Sequence, residues 1–492
     1  MQAVDGPIDV VALRLSALRA QREGKFAEAA RLLAPVAASR PDDHVVQLDF
    51  GNALAQADQP AKALVAFDRF IELKPDIALA HINRSYVLNK LGRHAEAEVA
   101  ARRGLDLAPD DGGAANNLAH AVKLQGRFEE AAAILGPLVE REPDRVEAVN
   151  NLGDCLRADG RLDAAEAMFL RAIRIKPDFA HARLNHALCR LQRGDYEAGF
   201  REYEWRLRLG LPLQHAGDAT SWDGSPAPDR TLFIETEQGH GDAIQFARFV
   251  SAARERVGRT ILMGRSEQLA LLSTALCVEG IATKGGRLPA EALHVSMMSL
   301  PLRLGLDRDG LTGTVPYLRA EPNRVAHWRA WLATLPGRPV GICWQGRPGI
   351  QPDLGRSVAL AELAPLAAVS GITLVSLQKH HGIDQLAGLP PEMRIAMPPD
   401  EFDSGPDAFL DTAAMMMSLD LVISVDSAIA HLAGALARPT WLMLRRMPDW
   451  RWGVDGDETI WYPTMRLYRQ SRNRVWLDPI ARMARDLQAR QS

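Results

Sequence analysis

Residues 126–144 read GRFEEAAAILGPLVEREPD, and this stretch decides how the first two hundred residues fold. Gly126 suits the end of one helix, because glycine enters the left-handed conformation of a helix terminus at little steric cost. Ala131 leaves room for the following helix to pack closely, and Pro143-Asp144 stops that helix, since proline removes a backbone donor and clashes with the preceding turn. Moving outward, Pro-Asp pairs recur at Pro41, Pro75, Pro109, Pro143 and Pro177, each 34 residues after the last. In the same register lie Gly24, Gly92, Gly126, Gly160 and Gly194, with Asp58 in the remaining copy. Five residues further on come Ala29, Ala63, Ala97, Ala131, Ala165 and Gly199. A fixed period with matching marks predicts stacked helical hairpins.

The pattern resembles the tetratricopeptide repeat and covers residues 10 to 210 as five repeats and a partial sixth. Such arrays stack into a superhelix whose concave face takes peptides or proteins, so the resemblance implies an acceptor protein as partner. A further register holds Asn83, Asn117, Asn151 and Asn185, with Asp49 one copy earlier. A carboxamide both donates and accepts, so a ladder of asparagines suits an extended backbone of any sequence. The region is similar to that of O-GlcNAc transferase, in which an asparagine ladder grips the substrate polypeptide. The plainer alternative is that asparagine at this repeat position is structural.

Composition limits the remaining classes. A chain of 492 residues with 47% hydrophobic content has room for two or three domains with buried cores. The net charge of −3, with both signs interspersed, marks no nucleic-acid stripe. Cys155, Cys189, Cys277 and Cys343 are scattered without metal or disulfide spacing, and read as buried small side chains in a reducing compartment. The N-terminus has no basic start leading into an apolar stretch, as a secretory signal would have. The longest run without an ionised side chain, Leu363 to Gln378, has 16 residues, short of the roughly 20 that span a bilayer. The expectation is a cytoplasmic protein with no transmembrane segment and no nucleic-acid partner.

After "GDYEAGFREYEWRLRL", the stretch "GLPLQHAGDATSWDGSPAPDR" breaks the period with glycine and proline. Beyond it, "TLFIET", "RTILMG", "PVGICWQG", "ITLVSLQ", "LDLVISVD" and "PTWLMLRR" read as strands, while Asp242 to Arg256, Ala361 to Val369 and Ala428 to Ala437 read as helices. That alternation predicts an α/β region with parallel sheets. The expected organisation is an α-solenoid over 1–210, a linker over 211–228, and two doubly wound halves over 229–330 and 331–492, with a cleft between the halves at the carboxyl ends of their strands.

Two strand-turn-helix motifs face such a cleft. "ETEQGHGDAIQF" (235–246) turns through Gln238, Gly239, His240 and Gly241 and presents Asp242 at a helix start. "SVDSAIAHLAGALARP" (424–439) places Asp426, Ser427 and Ala428 where the first helix amides attract a phosphate, with His431 one turn in. Together these motifs resemble the GT-B glycosyltransferases of the heptosyltransferase type, which carry Gly-Asp near the start of the domain and Asp-Ser-Gly-Pro-x-His-Leu-Ala near its end. This chain has Ala428-Ile429 where that family has Gly-Pro. "WDG", "GICWQGRP", "RSVAL", "SLQK", "PDWRW" and "WYPTMRLYRQ" extend the similarity to bacterial proteins in which tetratricopeptide repeats precede such a domain.

The resemblance implies sugar transfer from a nucleotide donor as co-substrate, without a metal or other cofactor. Asp242 is then the expected base, with His240 as the alternative because its ordinary pKa lies near neutrality. Gln238, Gly239 and Gly241 form the acceptor loop. Arg347, Arg356, Ser357, Gln378, Lys379, Asp426, Ser427, Ala428 and His431 are expected on the donor side. The plainer reading of Asp242 is a helix cap, of Lys379 a solvated cation, and of the tryptophans in "PDWRW" packing anchors. Asp411 and Thr412 read as a cap, and Asp455 and Asp457 resemble the metal-binding pair of another glycosyltransferase class but follow no clear strand. The function expected is glycosylation of a hydroxyl on a protein held by the repeats, with flagellin or another surface protein implied by similarity alone. The rival expectations are transfer to a lipid or saccharide precursor of the envelope, and an inactive scaffold.

Overall fold

The computed structural model describes residues 9–209, 219–273, 276, 278–347, 353, 355–405, 409–471 and 474–490; Cys277 and residues 211–218 of the 211–228 linker lie outside them. Its two compact units meet in sequence at Pro177 and Asp178.

The first unit is a run of helical hairpins: α1 (Val10–Arg22), α2 (Phe26–Ser39), α3 (His44–Gln56), α4 (Pro60–Leu73), α5 (Ala78–Lys90), α6 (His94–Leu107), α7 (Gly112–Leu124), α8 (Phe128–Arg141), α9 (Val146–Ala158) and α10 (Leu162–Ile175). The marks of the period do what the sequence predicts. Gly24, Gly92, Gly126 and Gly160 sit at φ between 73° and 88° just past the first helix of their pairs, and Asp58 takes the same left-handed conformation at φ 56°. Ala29, Ala63, Ala97, Ala131 and Ala165 are completely buried where the second helix approaches. Asp43 and Asp111 cap α3 and α7 with their carboxylates.

The second unit begins with α11 (Ala180–Gln192) and α12 (Tyr196–Tyr203) and continues into two parallel sheets. The first sheet holds β1 (Thr220–Ser221), β2 (Ala227–Glu235), β3 (Val257–Gly264), β4 (Gly280–Thr283) and β5 (Leu293–Ser296) in the order β1-β5-β2-β3-β4. The second holds β6 (Arg338–Cys343), β7 (Ile372–Ser376), β8 (Ile395–Ala396), β9 (Leu421–Val425), β10 (Thr440–Leu444) and β11 (Met465–Arg469) in the order β11-β10-β9-β6-β7-β8. All six apolar runs read as strands are strands. The short β1, β4, β5, β8 and β11 carried too little apolar pattern to be found.

Five helices of this unit matter below: α13 (His240–Phe246), α14 (Pro322–Leu332), α15 (Leu410–Met416), α16 (Ala428–Ala435) and α17 (Leu477–Ala489). Read from β8, the second sheet runs outward on both sides of the β6–β9 pair, and the first does so around β5–β2. Each pair is a switch point, where connections leave in opposite directions and open a crevice at the strands' carboxyl ends. The sequence that follows β2 is the Gly-His-Gly-Asp turn, and that which follows β9 is Asp426-Ser427.

The core of this unit includes the last helix pair. Leu191, Phe200 and Tyr203 are buried with Trp222, Phe246, Trp450 and Trp461. The ring of Phe200 meets those of Phe246 and Trp450 edge-on at 6.3 and 5.7 Å. Among the described residues, no helix is long and apolar enough to cross a membrane.

Candidate functional site

The turn after β2 is held from below by a buried ion cluster. The Arg206 guanidinium, 1% exposed, donates to Glu237 Oε1 at 2.6 Å, Glu204 Oε1 at 2.6 Å and Ser299 Oγ at 2.8 Å. Glu237 also takes the Ser296 hydroxyl, which lies at the end of β5. Gln238 adopts φ 59°, and its side chain donates to Tyr203 Oη at 3.2 Å. A charged group this deeply buried is tolerable only when its partners are fixed, so the cluster sets where the turn leaves the sheet.

Asp242 uses both carboxylate oxygens. Oδ2 accepts the Gly239 backbone N–H at 2.9 Å, the reach-back bond of a helix start, and Oδ1 accepts Arg451 Nη2 at 2.5 Å. The capping reading of Asp242 therefore holds, and an ion pair is added to it. Arg451 is buried, donates to Asp449 Oδ1 at 2.8 Å and to the Gln245 amide oxygen, and lies over the Trp450 ring at 4.6 Å. Burial raises the Asp242 pKa from its ordinary value, and the Arg451 charge opposes that rise.

Gly241 joins this turn to the second motif. A Cβ there would stand 3.0 Å from His431 Cδ2 and 3.6 Å from Ala428 Cα, so a side chain would push α13 away from the first turn of α16. At α16, Ser427 occupies the N-cap position, yet its side chain makes no capping bond. Its Oγ lies instead 3.1 Å from Ser424 Oγ and 3.8 Å from Cys343 Sγ. The helix start is thus left without a side-chain cap, an arrangement that attracts an anion. Asp426 has its pKa pushed up to about 6, first by burial and then by the Asp449 charge.

His431 faces inward. Its Nδ1 is 3.0 Å from Tyr462 Oη and its ring stacks on Trp452 at 5.2 Å. Burial, then the charges of Arg451 and Arg248, hold it well below its ordinary pKa and therefore neutral. His240 is half-buried with its ring edge-on to Phe409 at 5.2 Å, and burial lowers its pKa too.

On the donor side, Arg356 packs against Gly346, where a Cβ would come within 2.4 Å of Nη2. Its Nη2 donates to the Arg347 carbonyl at 3.2 Å, while its buried Nε has no partner among the described residues. Arg347 itself is exposed. Ser357 Oγ accepts the Gly346 N–H at 3.1 Å. The Gln378 amide oxygen accepts from the Trp344 and Gln345 N–H groups at 3.2 and 3.1 Å, and its nitrogen donates to the carbonyls of Gln345 and His381 at 3.0 and 2.7 Å. Lys379 donates to the Phe402 carbonyl. Gln378 thus braces the loops after β6 and β7, and Lys379 ties the segment after β7 to the one after β8.

Other residues singled out above have structural partners. Asp411 accepts from Arg324 Nη1 at 2.7 Å, Trp328 Nε1 at 3.0 Å and the Asp403 N–H at 2.9 Å, which ties α15 to α14. Asp457 pairs with Arg466 and Arg482 at 3.5 and 3.4 Å. In the repeats, Asn83 Nδ2 donates to Asn52 Oδ1 at 2.8 Å, Asn117 Nδ2 to the Ile82 carbonyl at 3.1 Å and Ser85 Oγ at 3.0 Å, and Asn151 Nδ2 to Asn116 Oδ1 at 2.9 Å. Their donors stitch successive hairpins together, while Asn185 lies half-buried on α11.

Sequence reasoning missed Arg451, Arg206, Gln245 and Tyr462. Arg451 lies inside "PDWRW", whose tryptophans carry the stronger local signal. A lone arginine carries no sign that its partner lies 209 residues away.

The fold and site thus define a class: an array of tetratricopeptide hairpins followed by an α/β region with parallel sheets. A family model for the tetratricopeptide repeat matches residues 48–112 and 117–178. Among curated proteins, the chain is 27% identical over 284 residues to Protein FlbA of Caulobacter vibrioides, a match covering 54% of this chain and 47% of that one. The chain therefore spans about half the length of that relative. Among solved structures, PilW, a widely conserved type IV pilus biogenesis factor, is 21% identical with a TM-score of 0.36, covering 42% of this chain and 94% of its own. YrrB, a tetratricopeptide repeat protein with an unusual peptide-binding site, is 20% identical with a TM-score of 0.29 over 37% of this chain and 93% of its own.

Proposed function

We propose that the α/β region is a GT-B glycosyltransferase that moves a sugar from a nucleotide donor to a hydroxyl of a protein held by the repeats. One observation carries this reading: Gly241 lets the Asp242 turn meet the uncapped start of α16, so a carboxylate and a set of anion-attracting amides flank one crevice. In the proposed reaction the acceptor oxygen attacks the anomeric carbon and its proton passes to Asp242, while the bond from that carbon to the diphosphate oxygen breaks. The α16 amides and Arg356 take up the charge of the leaving diphosphate, a task that fixed dipoles perform without reorganisation. Flagellin or another surface protein is the acceptor suggested by the resemblance, and a cytoplasmic setting goes with it.

A second reading, the inactive scaffold, draws on a specific observation. Asp242 already holds two bonds, and Gln378 and Lys379 are committed to the backbone. Thermal stabilisation by a panel of nucleoside diphosphates and nucleotide sugars, with and without magnesium, separates the two. A ligand at a hundred times its dissociation constant stabilises by about 2.7 kcal/mol. The transferase reading expects one nucleotide to shift Tm in wild type, a much smaller shift in Arg356→Ala, and donor hydrolysis or transfer that is lost in Asp242→Asn. No shift across the panel would leave the scaffold.

A further inference from the structure

His431 is held by a hydrogen bond at one ring nitrogen. Its Nδ1 lies 3.0 Å from Tyr462 Oη, while Nε2 has no hydrogen-bond partner among the described residues. Cδ2, the ring neighbour of Nε2, is the atom that the missing side chain of Gly241 admits, so Nε2 borders the junction between the Asp242 turn and the first turn of α16. A neutral imidazole carries one proton, and the bond made at one nitrogen decides whether the other donates or accepts. The direction of the Tyr462 hydroxyl therefore decides what His431 offers to the crevice.

Beyond Tyr462 the contacts continue to a cation. Tyr462 Oη lies 3.4 Å from Tyr317 Oη, which in turn accepts Arg248 Nη2 at 3.4 Å. The Arg248 guanidinium stands 4.9 and 4.8 Å from the centres of the two tyrosine rings, and donates to the carbonyls of Gln245, Thr312 and Trp461 at 3.2, 3.0 and 2.9 Å. It pairs with no carboxylate among the described residues, so its field acts on the two hydroxyls without a paired anion to offset it. A cation turns neighbouring O–H dipoles with oxygen toward it and hydrogen away. Arg248 thus donates to Tyr317, Tyr317 to Tyr462, and Tyr462 to His431 Nδ1. The other acceptor near Tyr317 Oη, the Gln245 carbonyl, is 3.5 Å away and already takes Arg248 Nε. Burial holds the Tyr462 hydroxyl well above its ordinary pKa, which keeps its hydrogen in place.

We propose that Arg248, Tyr317 and Tyr462 are positioning residues that lock His431 in its Nε2–H form, so that the ring presents a donor rather than a lone pair beside the start of α16. The ring gives up no proton in this role. It adds one N–H to the uncapped amides of that helix, directed at an anionic oxygen. That the oxygen belongs to a diphosphate rests on the transferase reading, whereas the lock does not. The lock also excludes His431 as a base, since the nitrogen facing the crevice already bears its hydrogen.

Full-length protein carrying isotope-labelled histidine tests the lock. Long-range proton–nitrogen spectra distinguish the two tautomers, and the His431 signals are those that vanish in His431→Gln. Wild type is expected to show the Nε2–H form alone at neutral pH. Tyr462→Phe removes the hydroxyl and keeps the ring, and should bring in the Nδ1–H form. Tyr317→Phe interrupts the relay one step earlier and should do so to a smaller extent. An Nδ1–H or mixed form in wild type, or a pure Nε2–H form in both tyrosine variants, would overturn the lock. Inorganic pyrophosphate separates it from the transferase reading. Pyrophosphate should raise Tm and move the Nε2-bound proton signal downfield. A raised Tm with that signal unmoved overturns the donation to the anion. No rise in Tm overturns the anion site of the transferase reading and the donation with it, while the spectra alone still decide the lock.

Discussion

Arg451 pairs with two carboxylates at once, Asp242 and the more exposed Asp449, while its own side chain is buried. Removing it strands the Asp242 charge, the less exposed of the two, at a cost of about 1–3 kcal/mol once solvent screening is allowed for. Arg451→Met is therefore expected to lower the unfolding free energy read from urea denaturation by that order, and Asp242→Asn in the same chain to recover part of the loss. The same pair governs pH dependence. Burial raises the Asp242 pKa and Arg451 restrains the rise, so a reaction that needs the carboxylate loses rate as pH falls through that raised value. In Arg451→Met the restraint is gone, and the acid limb of the rate profile should move to higher pH. A limb that stays in place would remove Asp242 from the role of base.

Asp426 carries a stability prediction of its own. Its folded pKa of about 6 lies above the ordinary 3.8, so between those values the folded chain binds more protons than the unfolded one. The contribution of Asp426 to stability then falls as pH rises from about 4 to 6 and levels off above, the reverse of the usual carboxylate behaviour. Asp426→Asn, which stays neutral, is expected to raise Tm relative to wild type at pH 7.5 and to gain little at pH 4.5, read by paired thermal melts.

At the scale of elements, each crevice is made by a strand, a turn and a helix start, and both turns were legible. "GHGD" and "VDS" followed apolar runs and preceded helical spacing, and those local signals were enough. What they could not reveal is that one turn packs on the other. Gly241 is needed for this approach, since its backbone is not left-handed and its missing side chain is what admits His431 and Ala428. Gly241→Ala should cost about 1–2 kcal/mol by overpacking in chemical unfolding and displace the Asp242 turn. Gln378 shows the opposite outcome. Its position at a strand's carboxyl end suggested ligand binding, yet its amide bridges the backbones of two loops, a use that sequence spacing does not encode.

At the scale of the whole molecule, the repeat period and the compact units end at different residues. The periodicity carries the array to about residue 210, whereas α11 and α12 lie in the compact unit that starts at Asp178. They supply Leu191, Phe200 and Tyr203 to the core of the α/β region, and the segment just after them supplies Arg206 to the cluster under its first turn. A fragment 178–492 should therefore melt cooperatively on its own. One cut at 211 leaves Glu237 buried without its cation and opens the apolar face of Phe246 and Trp450, and should aggregate or bind a hydrophobic dye.

The sequence by itself determined the helical hairpins, their period, the left-handed turns between them and the six principal strands, because each of these follows from residues within a few positions of one another. Only the tertiary structure decided that Arg451 meets Asp242 across 209 positions and that the last hairpin belongs to the α/β core. Those outcomes depend on which side chains are brought together after the chain has folded. Local propensity and periodicity do not register such distant pairings, whereas burial makes each of them energetically decisive.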